Sequence, residues 1–243
     1  MPIFLGVLFS LIFCALIGFN VGLLKQPEKA AAADREPAPE ETDDAHVDEE
    51  FIFTVTEKIP DIILEYYRNP DYSEWVTAFF TEICASRDVA SAILENTDAF
   101  DVPPALAFAL SWEESRFNPS AINRGNSDGS IDRGLFQLNN RSFPEINVSD
   151  FFSIEINAYF GVSHLRYCLE TGASEVSALA MYNAGTGRVR STGAPEITLN
   201  YISRILENRG KIETRFHSRL IREEERRLAN PSQPADAGET GDF

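Results

Sequence analysis

Ser111-Trp-Glu-Glu-Ser-Arg-Phe-Asn-Pro-Ser-Ala121, followed by Asp132-Arg-Gly-Leu-Phe-Gln-Leu-Asn139, is the stretch on which the reading of this chain turns. Pro103-Pro104 opens a helix ahead of it, because proline suits a first helical turn, and Ala105 to Ser115 carry that helix forward. Asn118-Pro119 is expected to stop it. Glu114 falls at the carboxyl end, behind Leu106, Phe108, Leu110 and Trp112. A carboxyl set against apolar neighbours loses hydration and its pKa rises. Such a group can protonate a leaving oxygen near neutral pH. Alone this is a weak signal, since a Glu at a helix end is usually solvated. Glu113 points about 100° away round the helix and reads as a surface or structural residue.

Working outward, Trp75, Val76, Phe79, Phe80 and Ile83 recur at helical spacing, with Ser73 as the expected cap. Val89, Ile93 and Leu94 predict a further helix. Residues 120–134 are polar and glycine-rich, the composition of a loop or short ribbon. Later helices are expected at 151–169, 174–182, 197–208 and 211–228, and Asn230-Pro231 ends the fold. No long run of alternating β-branched residues occurs, so the domain reads as mainly helical.

Composition narrows the chemistry. Among 243 residues the net charge is −17, which argues against a nucleic-acid binder. Three cysteines are too few for a disulfide scaffold. His46, His164 and His217 lie far apart with no HExxH or CxxC, so a zinc site is not expected. Much of the acidity sits in flanks. Residues 34–50 hold nine acids against Arg35, and 230–243 hold three with no base. Cys84 and Cys168 both fall in predicted helices, where pairing needs Cα atoms within about 7 Å; two free, buried thiols are the favoured reading. The arginines of 204–228 could dock on an anionic glycan or lipid, but their interleaving with glutamates favours a solvated helix face.

Ile3 to Leu24 is a stretch of 22 residues without a charge. As a helix it would reach about 33 Å, enough to cross a bilayer core. It reads as an uncleaved anchor, a signal cleaved near Ala31-Ala32-Ala33, or a lipoprotein signal modified at Cys14, with the anchor favoured. The expected organisation is an anchor or signal segment at 1–24, an acidic disordered linker at 25–50, a helical extension at 51–95, a catalytic domain at 96–229 and a disordered tail at 230–243.

Four motifs in order make the reading specific: Glu114-Ser115 with Phe117-Asn118-Pro119; Gly134-Leu-Phe-Gln-Leu138; Met181-Tyr-Asn-Ala-Gly185; and Tyr201. Together, over roughly 95–210, they resemble the SLT-type lytic transglycosylases, a family with a lysozyme-like fold that cleaves the glycan of peptidoglycan. The resemblance implies Glu114 as the single catalytic acid and base, and Ser115 as a hydrogen-bonding partner of its carboxyl. It implies Gln137, Tyr182 and Asn183 as cleft residues and Tyr201 as the aromatic beside the catalytic Glu. Phe136 stands where the family often has Met. The implied reaction cuts the bond between N-acetylmuramic acid and N-acetylglucosamine and closes a 1,6-anhydro ring, without a cofactor. The implied partner is peptidoglycan, and the implied setting is the cell envelope, with the catalytic domain in the periplasm on an inner-membrane anchor.

One element departs from that pattern. Asp128-Gly-Ser-Ile-Asp132 looks like the loop of animal-type lysozymes, and it sets Asp132 where a second carboxylate would stand. Two flanking carboxylates permit hydrolysis; a loop-bracing Asp is the plainer reading. A hydrolytic muramidase using Glu114 and Asp132, or a non-catalytic peptidoglycan-binding scaffold, are the alternatives.

Overall fold

Apolar residues at helical spacing build helices through most of residues 60–229, the part described in a computed structural model of the chain. The order is α1 (Ile62–Arg68), α2 (Ser73–Cys84), α3 (Arg87–Phe100), α4 (Pro104–Ser115), three two-residue strands, a 3-10 turn (Asp150–Phe152), α5 (Ile154–Thr171), α6 (Glu175–Ala184), α7 (Thr186–Thr192) and α8 (Glu196–Ala229). These residues fall within one compact unit, 55–243. The boundary drawn at 95/96 therefore cuts through α3. The expected anchor, linker and tail lie outside the described residues. Among the described residues no helix is long and apolar enough to cross a membrane.

Helix α4 is the central element. Every residue from Pro104 to Ser111 is buried, as expected of a helix that is apolar all round. It packs against α8, α3 and α1, and Phe108 stacks on Phe80 of α2 at 4.1 Å between ring centroids. α4 ends at Ser115, as read, but the stop comes before Asn118-Pro119. Arg116 and Phe117 take left-handed backbone at φ 55° and 60°, which turns the chain away directly after Ser115.

Several helix starts follow local chemistry. Asp61, Ser86, Ser153 and Ser174 cap α1, α3, α5 and α6 with side-chain acceptors. The expected Ser73 cap is not formed: Tyr72 is the cap residue, with no side-chain bond, and Ser73 already lies inside α2. The two helices expected at 197–208 and 211–228 are one. Gly210 sits within α8 with open space around it. A mid-helix glycine costs only about 1 kcal/mol, and Arg209 beside it is held by both Glu175 and Glu213.

The far half of α8 packs on the N-terminal helices. Phe216 is fully buried against Trp75, Phe79 and Tyr66. The arginines here do not form the solvated face expected. Arg215 and Arg219 reach Glu82, and Arg226 and Arg227 hold Glu223, all with partly buried side chains.

The polar 120–134 segment does form a ribbon. β1 (Ile122–Asn123), β2 (Asp132–Arg133) and β3 (Leu138–Asn139) make a small antiparallel sheet in the order β1-β2-β3. Asp132 pairs with Asn123 on one side and Asn139 on the other. Gly134 leaves β2 at φ 77°, and a Cβ there would meet the Asn157 side chain at 2.2 Å and the Phe151 carbonyl at 2.3 Å. Only glycine fits that turn. Cys84 and Cys168 are both free and buried.

Candidate active site

The end of α4, the ribbon, and the facing sides of α5 and α6 enclose an open cleft of about 590 Å³. Glu114, Asp132, Phe136, Gln137, Tyr182 and Asn183 line it, joined by His164, Arg141 and Arg188. Five of the seven residues singled out in the sequence thus share one cleft. Ser115 and Tyr201 stand behind it and act on its walls.

Glu114 lies on the wall, half-buried. Its Oε1 accepts a 2.5 Å hydrogen bond from the Tyr201 hydroxyl of α8. Burial pushes the carboxyl up from 4.5 to about 8; the Tyr201 bond opposes this, while the charges of Asp132 and Glu113 add to it. The source of that burial differs from the sequence reading. Leu106, Phe108 and Leu110 face the core, and Trp112 is exposed beneath the Arg116 guanidinium. Tyr201, behind the carboxyl, and Tyr182, across the cleft, take their place. Burial raises both phenols well above 10, so both remain hydrogen-bond donors.

Removing the Tyr201 hydroxyl has a definite sign. Its bond lowers the Glu114 pKa, so a Tyr201→Phe variant is expected to hold the proton about one unit further up the pH scale. A pH titration of the Glu114 carboxyl, or of any activity that depends on it, checks this. An unmoved or lowered midpoint contradicts the contact.

Ser115 does not hydrogen-bond the Glu114 carboxyl. Its hydroxyl donates to the Leu135 carbonyl at 2.7 Å, joined there by Ser111 at 3.3 Å. It therefore clamps the segment after β2 to the end of α4. Tyr182 fastens the next residue, donating to the Phe136 carbonyl at 3.1 Å. Gln137 takes a positive φ of 46° and returns its amide to the Gly134 and Ala121 carbonyls. Asn183 accepts from the buried Thr198 hydroxyl at 2.8 Å, tying α6 to the start of α8. Phe136 is fully buried, lying where Gly161 of α5 leaves no room for a Cβ.

Asp132 is held by three amides. Asn139 donates to Oδ1 at 2.7 Å, and Asn126 and Asn123 donate to Oδ2 at 2.9 and 3.0 Å. Glu113, read as surface or structural, has a side chain only 8% exposed, with Oε1 2.6 Å from Arg204 of α8.

Two features escaped the sequence reading. Asn157 of α5 is buried; its amide accepts from Phe136 N and donates to the Arg133 and Phe151 carbonyls. The only trace in the sequence is a polar residue inside the apolar run Ile154–Val162. His164 is half-buried in the cleft wall, between Tyr182 and Phe143, and desolvation lowers its pKa. Among the described residues no group of three or more His, Cys, Asp or Glu side chains could hold a metal.

A mainly helical domain with a protonatable carboxyl on the wall of an open polar cleft has the layout of a lysozyme-like, glycan-cleaving domain. Residues 91–201 match the family model of the transglycosylase SLT domain. That match spans α4, the ribbon, α5, α6 and the start of α8, and so covers every residue of the cleft described above. The resemblance read from the four motifs is thereby shown over this stretch. The match is to a transglycosylase domain and covers under half of the chain. No curated protein matches the chain.

Proposed function

We propose that the protein is a peptidoglycan lytic transglycosylase that cuts the β-1,4 bond between N-acetylmuramic acid and N-acetylglucosamine, with Glu114 as acid and then base. The observation that carries the reading is the Glu114 carboxyl, buried and raised to about 8 in the cleft wall. At neutral pH it holds the proton that the leaving oxygen needs. Tyr201 occupies Oε1, so Oε2 is the oxygen that carries this proton to the glycosidic bond. The substrate's own N-acetyl group stabilises the developing cation. The Glu114 carboxylate then removes the proton of the muramic 6-hydroxyl, whose oxygen attacks C1 and closes the 1,6-anhydro ring. One carboxyl suffices because its two tasks are sequential. Gln137, Tyr182 and Asn183 line the glycan path, and no cofactor takes part. The proposed setting is the cell envelope, with Ile3–Leu24 as an inner-membrane anchor and the domain in the periplasm.

Hydrolysis is the second reading, and the amide cage around Asp132 favours it. Three amide donors fix this carboxylate in the cleft wall, while Glu114 in the same cleft is held protonated. That is the division between a stabilising carboxylate and a general acid. The same cage also braces β1, β2 and β3, which serves a purely structural Asp equally well.

Mass spectrometry of fragments released from purified peptidoglycan decides between the two. Anhydromuramic ends are expected. Reducing ends, heavier by one water, would transfer the assignment to a muramidase, and release of nothing would favour a glycan-binding scaffold. An Asp132→Asn variant is expected to keep cleaving within about tenfold of the parent if the carboxylate only braces the ribbon, and to fall by about 100-fold or more if it stabilises the cation.

A further inference from the structure

Tyr201 and Arg204 lie one turn apart on α8, and Glu113 and Glu114 are adjacent on α4. Two rungs therefore join the same pair of helices: Tyr201 to Glu114, and Arg204 to Glu113. The second rung is unusual in its burial. The Glu113 side chain is 8% exposed. Its Oε2 is buried and makes no hydrogen bond, with the Arg116 guanidinium only at 3.9 Å. A nearly buried carboxylate that is half satisfied costs stability, and an apolar residue could fill the same helix contact without that cost.

We propose that Glu113 and Arg204 are a positioning pair for the cleft. Their ion pair fixes the depth and rotation of α8 against α4, and so the seat of the Tyr201 hydroxyl on the Glu114 carboxyl. Neither residue touches the glycan; both act through Glu114 and Tyr201. This deepens the reading of Glu114 as acid and base and rests on it.

The pair also carries charge next to the acid. Asp132 faces Glu114 from β2, Tyr182 from α6, Tyr201 from α8, and Glu113 from its own helix. Asp128, Arg141, His164 and Arg188 line the same cleft. The Glu113 charge favours the protonated form of Glu114, and Arg204 offsets that charge. Losing Arg204 therefore raises the Glu114 titration twice over, by unseating Tyr201 and by baring the Glu113 charge, whereas losing Glu113 unseats Tyr201 but removes that charge.

The test is a titration of the Glu114 carboxyl by 13C NMR in the full chain labelled at glutamate, comparing wild type, Glu113→Gln, Arg204→Met and the double variant. Arg204→Met should move the midpoint alkaline by about half a unit or more, Glu113→Gln should lie acidward of Arg204→Met because it loses the charge along with the seat, and the double variant should match Glu113→Gln. The pH profile of glycan cleavage should show its alkaline limb following the same order. Midpoints unmoved in folded variants, or an Arg204→Met midpoint that does not lie alkaline of both wild type and Glu113→Gln, would overturn the proposal. The titration reads the pair without relying on turnover. A wild type that releases no fragments would therefore sink the proposed activity and leave the positioning result standing by itself. Should Glu113→Gln fail to fold, Glu113→Asp, which keeps the charge but shortens its reach to Arg204, gives the reading. It should weaken the Tyr201 contact alone and so move the midpoint alkaline of wild type.

Discussion

Replacing Glu114 by Gln is expected to lower glycan cleavage by at least about 10³-fold while making the protein more stable at neutral and alkaline pH. The loss follows from the chemistry. In the proposed reaction one group supplies the proton to the leaving oxygen and then accepts one from the muramic hydroxyl, so its removal takes away both steps. The gain follows from burial. The folded-state pKa of Glu114 is raised from 4.5 to about 8, so folding disfavours the ionised form that the unfolded chain prefers. That cost is absent below about pH 4, grows as pH rises through 4.5, and levels off above 8. A neutral amide escapes it and still accepts the Tyr201 hydroxyl. Because Glu114 borders an open cleft and is partly screened, the gain is about 1–3 kcal/mol above pH 8. Thermal melting of both forms at pH 4 and pH 8 checks the stability half, with coincident curves expected only at pH 4. Cleavage of purified peptidoglycan checks the other half, and a variant within tenfold of wild type would remove Glu114 from its role. Wild-type cleavage itself should fall above about pH 8 as the donor proton is lost.

Much of this site was legible because it is built from local sequence. Pro104 starts α4 where proline is tolerated, and the apolar run behind it sets the helix that ends at Glu114. The glycine and asparagine density of 120–134 announces a ribbon, and Gly134 marks its sharpest turn. What stayed illegible depends on which distant groups meet. Nothing near Ser115 says that its hydroxyl closes on Leu135, twenty residues away, rather than on the neighbouring carboxyl. Glu113 looks like surface until Arg204 arrives from 91 residues along the chain. Thr186–Thr192 has no buried residue and hence no periodicity to detect, so α7 left no trace. Gly210 falls between the two helices expected at 197–208 and 211–228, yet Arg209 beside it, held by Glu175 of α6 and by Glu213 one turn on, outweighs its small propensity cost.

Replacing Asn157 by Leu is expected to be the most destabilising single change near the cleft, although Asn157 lines none of it. The side chain is buried, and its amide makes three hydrogen bonds. It accepts from Phe136 N at 2.8 Å, and donates to the Arg133 carbonyl at 3.0 Å and the Phe151 carbonyl at 2.8 Å. Leucine has nearly the same volume but none of the partners. Each main-chain group left buried and unpaired costs about 1–3 kcal/mol, and the three lie too close to add independently. A loss of at least about 3 kcal/mol follows, a fall in Tm of about 10 °C. The functional consequence is separate from the melting. Arg133 and Phe136 bracket Gly134 and Leu135, the segment that carries Asp132 into the ribbon and Gln137 into the cleft. At a temperature where the variant is still folded, the loss should therefore fall mainly on glycan binding. The Glu114 titration should stay near 8, because Tyr201 reaches that carboxyl from α8 and not from the loop. A variant that melts within 2–4 °C of wild type, a loss of about 1 kcal/mol, and cleaves at its rate would show that Ser115, Tyr182 and the Gly134 turn hold the segment without help from α5.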